Sequence, residues 1–140
     1  MNLCNLQFVN DLKKTLSSAY ETISPQNRGL QEFQINLSIK PEWSFFQGHF
    51  PGKPILPAYA ITEISTYFIN LLFENKDFSN FKILETLRMK YPVRPFDEVK
   101  ININKDSEYS EDKNMYHVKW HSHDMTKTLI LATFQMKENE

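Results

Sequence analysis

The chain has 140 residues, enough for one domain with its own core, and its 41% apolar and 24% charged shares fit a globular protein rather than a disordered one. A formal net charge of −1 argues against a broad electrostatic field for nucleic acid, and the single cysteine, Cys4, excludes an internal disulfide. Aromatic side chains make up 14% of the chain, enough both to fill a core and to line a pocket.

The N-terminus has no basic segment leading into a continuous apolar run, so no signal peptide is expected and the protein reads as soluble and cytoplasmic. Val9, Leu12, Leu16, Ala19, Tyr20 and Ile23 recur at helical spacing and predict a helix over residues 5–23. We take residues 1–28 as a helical extension and 1–140 as one domain. Phe33, Ile35, Leu37 and Ile39 then alternate with polar residues, which predicts a half-buried strand.

A loop rich in glycine and proline follows, Phe46-Gln47-Gly48-His49-Phe50-Pro51-Gly52-Lys53-Pro54-Ile55-Leu56-Pro57. Pro57 suits the first position of a helix, where its missing N–H costs nothing, and the helix is predicted to run to about Phe73. It is apolar over most of its circumference, so other elements must wrap it. Thr62, Glu63, Ser65, Thr66 and Asn70 interrupt it too often for a membrane span. Further strands are predicted over residues 81–93, around Val99–Ile103, around Tyr116–Trp120, and over about 127–136. The order predicts an α+β fold, a curved antiparallel sheet closing around one long central helix.

One histidine in the loop and one carboxylate in the apolar helix suggest acid–base chemistry on an apolar substrate. Imidazole is substantially neutral near pH 7 and can accept a proton. Apolar surroundings favour the neutral carboxylic acid, which can donate one. Phe50, Tyr59, Tyr67 and Phe68 are candidates to line a channel, although aromatics at helical spacing equally serve a core. Lys82, Arg88, Lys90, Arg94 and Lys100 form either a solvated strand face or a landing patch for an acidic partner. His117, His121 and His123 have no matching Cys or carboxylate set, so no metal is expected.

The stretch from Phe46 to Glu63 resembles the active-site segment of the FabZ-type 3-hydroxyacyl-acyl-carrier-protein dehydratases, whose motif reads His-Phe-Pro-x-x-Pro-Val-Met-Pro-Gly with a Glu or Asp fourteen residues after the His. Here that pattern falls on His49, Phe50, Pro51, Pro54, Ile55, Leu56, Pro57 and Glu63. Met89-Lys90-Tyr91-Pro92-Val93-Arg94-Pro95-Phe96-Asp97 resembles the family's Phe-Lys-Arg-Pro-Val-x-Pro-Gly-Asp turn. With weaker agreement at both ends, the resemblance covers roughly residues 30–137. The chain departs from the pattern at Ala58 and Phe96, where the family has glycine. The short approach to the motif is similar to the ApeI-like dehydratases of aryl polyene-type pathways.

The resemblance implies a hot-dog fold and a dimer in which the His and carboxylate of one site come from different subunits. It implies His49 as the base, its other ring nitrogen held by the carbonyl of Ile55, Glu63 as the acid, and the Ala58 N–H as the donor to the thioester oxygen. Phe50 and Tyr59 would contact the acyl group. The substrate would arrive on the phosphopantetheine arm of acyl carrier protein, docked at Arg88, Lys90 and Arg94, without metal or redox cofactor. The alternatives are a hot-dog acyl thioesterase and a catalytically silent subunit of a heteromeric dehydratase.

Overall fold

The computed structural model describes residues 6–16, 20–21, 32–46, 52–74, 81–106 and 114–138. The first helix, α1 (Leu6–Leu16), buries Phe8 and Leu12, one turn apart, and carries Lys13 and Lys14 in its last turn, where cations complement the helix dipole. It is shorter than the predicted span. Tyr20 and Glu21 form instead a short strand, β1 (Tyr20–Glu21), that pairs with β2 (Glu32–Ser38). The physical reason is the edge of β2, whose backbone groups need partners; pairing satisfies them better than another helical turn would. Ala19 and Ile23 lie outside the described residues.

Strand alternation decides which face of the sheet is buried. Ile35, Leu37 and Ile39 point inward from β2 and its end, while Asn36 and Lys40 are exposed. The inward set continues through Val99, Ile101 and Ile103 of β4 (Glu98–Asp106), Tyr116, Val118 and Trp120 of β5 (Asn114–Ser122), and Ile130, Ala132 and Phe134 of β6 (Thr128–Glu138). Strand β3 (Phe81–Met89) closes the order β1-β2-β4-β5-β6-β3, every pair antiparallel. A register shift between Trp120 and His121 breaks the β5–β6 ladder near its end.

The central helix, α2 (Ala58–Ile69), lays Ala60, Ile61, Ile64, Phe68 and Ile69 into the same apolar cluster as the inner sheet residues. The chain then continues as a π turn (Asn70–Glu74) rather than as regular helix to Phe73. The Asn70 N–H is shared between the carbonyls of Thr66 and Tyr67, and the wider turn delivers Phe73 edge-on to Phe33 and Tyr116, at 5.1 and 5.4 Å between ring centres. Likewise β3 ends at Met89 instead of running to residue 93. Pro92 and Pro95 offer no N–H to a ladder, and neighbouring loops take the backbone groups that follow.

Those neighbours join the two motifs. The Leu56 N–H donates to the Val93 carbonyl at 2.7 Å, and the Phe96 N–H donates to the Ile39 carbonyl at 2.8 Å while Ile39 N–H donates to Asp97 at 2.9 Å. The turn after β3 is therefore pinned between the end of β2 and the entry to α2. Within that turn Arg94 N–H donates to the Asp97 carboxylate at 2.9 Å. Phe96 adopts φ 72°, the left-handed region that favours glycine, and its ring is 80% exposed. The glycine that the resembling family's pattern has at this position thus has a backbone reason, and Phe96 adopts the same conformation only under strain.

Candidate active site

The N-terminus of α2 is set by Pro57, which is buried and extended at φ −74° and ψ 161°. Pro57 precedes the helix rather than opening it; its carbonyl accepts from Ala60 and Ile61 at 3.1 and 3.2 Å. Ala58 is the first helical residue, is exposed, and its N–H has no hydrogen-bond partner among the described residues. The first N–H groups of a helix have no intrahelical acceptor, and with the helix dipole they favour a negatively charged or polarised oxygen. Ile55 is half-buried in the extended approach, beside the Leu56–Val93 link.

Tyr59, Glu63 and Tyr67 follow at four-residue steps and share one face of α2. Tyr59 is 54% exposed and its ring meets Phe45 edge-on at 5.6 Å. Glu63 and Tyr67 are half-buried, but the Glu63 Oε2 and the Tyr67 hydroxyl are fully enclosed and have no hydrogen-bond partner among the described residues. Burial pushes the Tyr67 hydroxyl above its ordinary value of 10, so it remains protonated throughout the neutral range. Phe68 does not line a channel; it is fully buried in the core, as its place on the sheet-facing side requires. His49 and Phe50 lie outside the described residues. They fall in the sequence between Phe46 and Gly52.

The segment leading into that loop is braced from the other side. Trp43 and Phe45 are buried against Phe8 of α1, with ring centres at 5.0 and 4.8 Å, and Trp43 Nε1 donates to the Asp11 carboxylate at 2.9 Å. Through Phe45 and Tyr59 this aromatic group reaches α2. The N-terminal helix therefore buttresses the approach to the motif loop.

The basic residues occupy two settings. Lys90 and Arg94 are exposed in the turn pinned to Leu56 and Ile39. Arg88 is exposed on the outer face of the sheet, away from α2, where with Thr86, Leu131, Thr133, His117 and Lys119 it lines a depression of about 270 Å³. Lys119 belongs to this surface, and sequence reasoning passed over it. On the same face burial, and secondly the Lys119 charge, hold the His121 imidazole below its ordinary value. Among the described residues no three His, Cys, Asp or Glu side chains converge as metal ligands, and no helix is long and apolar enough to cross a membrane.

The arrangement resembles that of known proteins. The family model described as ApeI-like (ApeI dehydratase) matches residues 25–129. The 3-hydroxyacyl-[acyl-carrier-protein] dehydratase FabZ of Blochmanniella floridana is 38% identical over 66 residues, 42% of this chain and 44% of that one. The chain thus spans less than half the length of the curated relatives it matches. Among solved structures, the dehydratase heterocomplex ApeI:P from Xenorhabdus doucetiae is similar with a TM-score of 0.57 at 21% identity, covering 85% of this chain and 97% of that one. The R-hydratase PhaJ1 from Pseudomonas aeruginosa gives a TM-score of 0.56 at 12% identity over 79% of this chain and 81% of that one. The fold is the hot-dog fold that the resemblance implied, in the α+β layout that the order of elements predicted.

Proposed function

This chain belongs to the ApeI-like dehydratase family, and from that premise we propose that it removes water from 3-hydroxyacyl thioesters on acyl carrier protein to give trans-2-enoyl thioesters, in fatty acid or polyene-type biosynthesis. The observation that carries the reading is Glu63: a carboxyl group on the central helix, fourteen residues after His49, with an enclosed oxygen that has no hydrogen-bond partner among the described residues. A buried acceptor without a partner is costly and is retained where a ligand supplies one.

In this reading His49 takes the C2 proton. The electron pair forms the C2=C3 bond, and the C3 oxygen leaves with the Glu63 proton as water. The Ala58 N–H receives the thioester oxygen as charge builds on it, and Ile55 and Tyr59 border the acyl path. Elimination leaves the overall oxidation level unchanged, so no redox cofactor enters.

The site is completed by a second hot-dog subunit, a copy of this chain or a related one. Among the described residues strand β3 ends the sheet and pairs with β6 alone, which leaves a long edge for another chain to extend. Arg88, Lys90 and Arg94, with Lys119, form the docking surface for the acidic carrier protein.

The test is product analysis. The purified protein should hydrate a crotonyl or longer enoyl thioester with loss of enone absorbance, and Glu63→Gln should lower that rate by about 10² to 10⁴, the usual contribution of a general acid. Release of free acid and thiol instead would identify a thioesterase, and an unimpaired Glu63→Gln variant would remove the assignment.

A further inference from the structure

Helix α2 treats its polar side chains in two ways. The Ser65 hydroxyl accepts from Trp120 Nε1 at 3.2 Å, and the Thr66 hydroxyl donates to the carbonyls of Thr62 and Glu63 at 2.8 and 3.2 Å. Glu63 Oε2 and the Tyr67 hydroxyl, enclosed one turn apart on a single face, have no partner among the described residues. Two enclosed groups four residues apart on one helix face, a carboxyl that can donate a proton as well as accept a hydrogen bond and a phenol that donates one, describe a binding site for an atom that can both accept and donate. A hydroxyl or water oxygen is such an atom.

We propose that Tyr67 is a second binding group for the oxygen that leaves the substrate: its hydroxyl donates a hydrogen bond to the C3 oxygen while Glu63 supplies the proton. This rests on the dehydratase reading and deepens it. Tyr67 keeps its own proton throughout, consistent with the burial that favours its neutral form. His49 gains the C2 proton, Glu63 loses one to the departing water, and transfer between the two resets the site. The bond from Tyr67 strengthens as negative charge develops on the breaking C–O oxygen, so it acts on the chemical step more than on binding. In hydration the same pair holds the attacking water.

Tyr67→Phe removes one oxygen and keeps the ring. We expect kcat for enoyl thioester hydration to fall by about 10- to 100-fold, with KM changed by less than about threefold. The melting temperature should hold or rise, because an unpaired buried hydroxyl has gone. A purely structural Tyr67 would move the melting temperature and leave kcat alone. If kcat in Tyr67→Phe stays within about twofold of the parent while Glu63→Gln is inactive, Tyr67 has no such role and the dehydratase reading stands. If the parent itself neither hydrates nor dehydrates, both fall. A crystal structure of Glu63→Gln with a bound 3-hydroxyacyl thioester gives an independent readout. The C3 oxygen within hydrogen-bond distance of the Tyr67 hydroxyl supports the proposal, and an oxygen beyond that reach overturns it.

Discussion

The two faces of α2 carry polar groups of similar burial and opposite fate. On the sheet side Ser65 is completely enclosed and bonded to Trp120, so a polar pair ties the helix to β5 in an otherwise apolar layer. On the opposite side Glu63 and Tyr67 present enclosed polar atoms that find no hydrogen-bond partner among the described residues. A protein that satisfies one buried hydroxyl so directly has no general tolerance for unsatisfied ones. The difference separates a group kept for stability from groups kept for a ligand.

Substitution at Ser65 sharpens that separation most. Ser65→Ala strands the Trp120 indole N–H in the core without an acceptor, which should cost about 1–3 kcal/mol. Thermal denaturation should show a clearly lowered midpoint, while the hydration rate per folded molecule stays near that of the parent. Glu63→Gln should do the reverse, losing rate and keeping the midpoint. Should the Ser65 variant melt with the parent, the bond to Trp120 contributes nothing and the contrast between the faces dissolves.

Much of this was legible in the sequence because it follows from periodicity. The alternation in residues 33–39, 99–103 and 116–120 marked the strands that bury Ile35, Ile101 and Trp120, and the apolar run after Pro57 marked the enclosed helix. The family resemblance, through the fourteen-residue step from His49, singled out Glu63, whose Oε2 lies enclosed on α2. Three things were not legible, each decided by partners far away in the chain. Tyr20 pairs with Gln34 across the edge of β2. Val93 leaves the predicted strand because Leu56 binds its carbonyl. Tyr67 read as one aromatic among several, since periodicity places a ring on a face but says nothing about whether its hydroxyl finds an acceptor. The four-residue step from Glu63 was the signal available.

A smaller effect tests the strained turn against the relaxed helix. Phe96 sits at φ 72° with its ring 80% exposed, so the subunit alone recovers little burial for the cost of a left-handed backbone. Phe96→Gly removes that strain but adds freedom to the unfolded chain, and the net should be a gain of about 1 kcal/mol or less. Melting temperatures of parent and variant decide it. A lower midpoint in the variant would mean that the ring makes contacts worth more than the strain, as it would at a subunit interface.

The smallest effect concerns a carboxylate in the opposite condition to Glu63. Asp124, exposed in the turn between β5 and β6, accepts at 2.7 Å from the Thr126 hydroxyl, at 3.0 Å from the Thr126 N–H and at 2.8 Å from the Ser122 hydroxyl. The Thr126 hydroxyl first, then these other donors, lower its pKa from 3.8 to about 2. A carboxyl depressed in the folded state stabilises fully above its unfolded value, and the contribution is lost as the pH falls through about 2. Asp124→Asn cannot titrate, so it removes this dependence while keeping an acceptor oxygen. The melting-temperature gap between parent and variant should be constant above about pH 5 and narrow steadily towards pH 2. A gap that stays constant through that window would mean that the three donors hold the turn without favouring the charge. Asp124 would then illustrate shape, as Ser65 does, rather than the pairing of charge with donors.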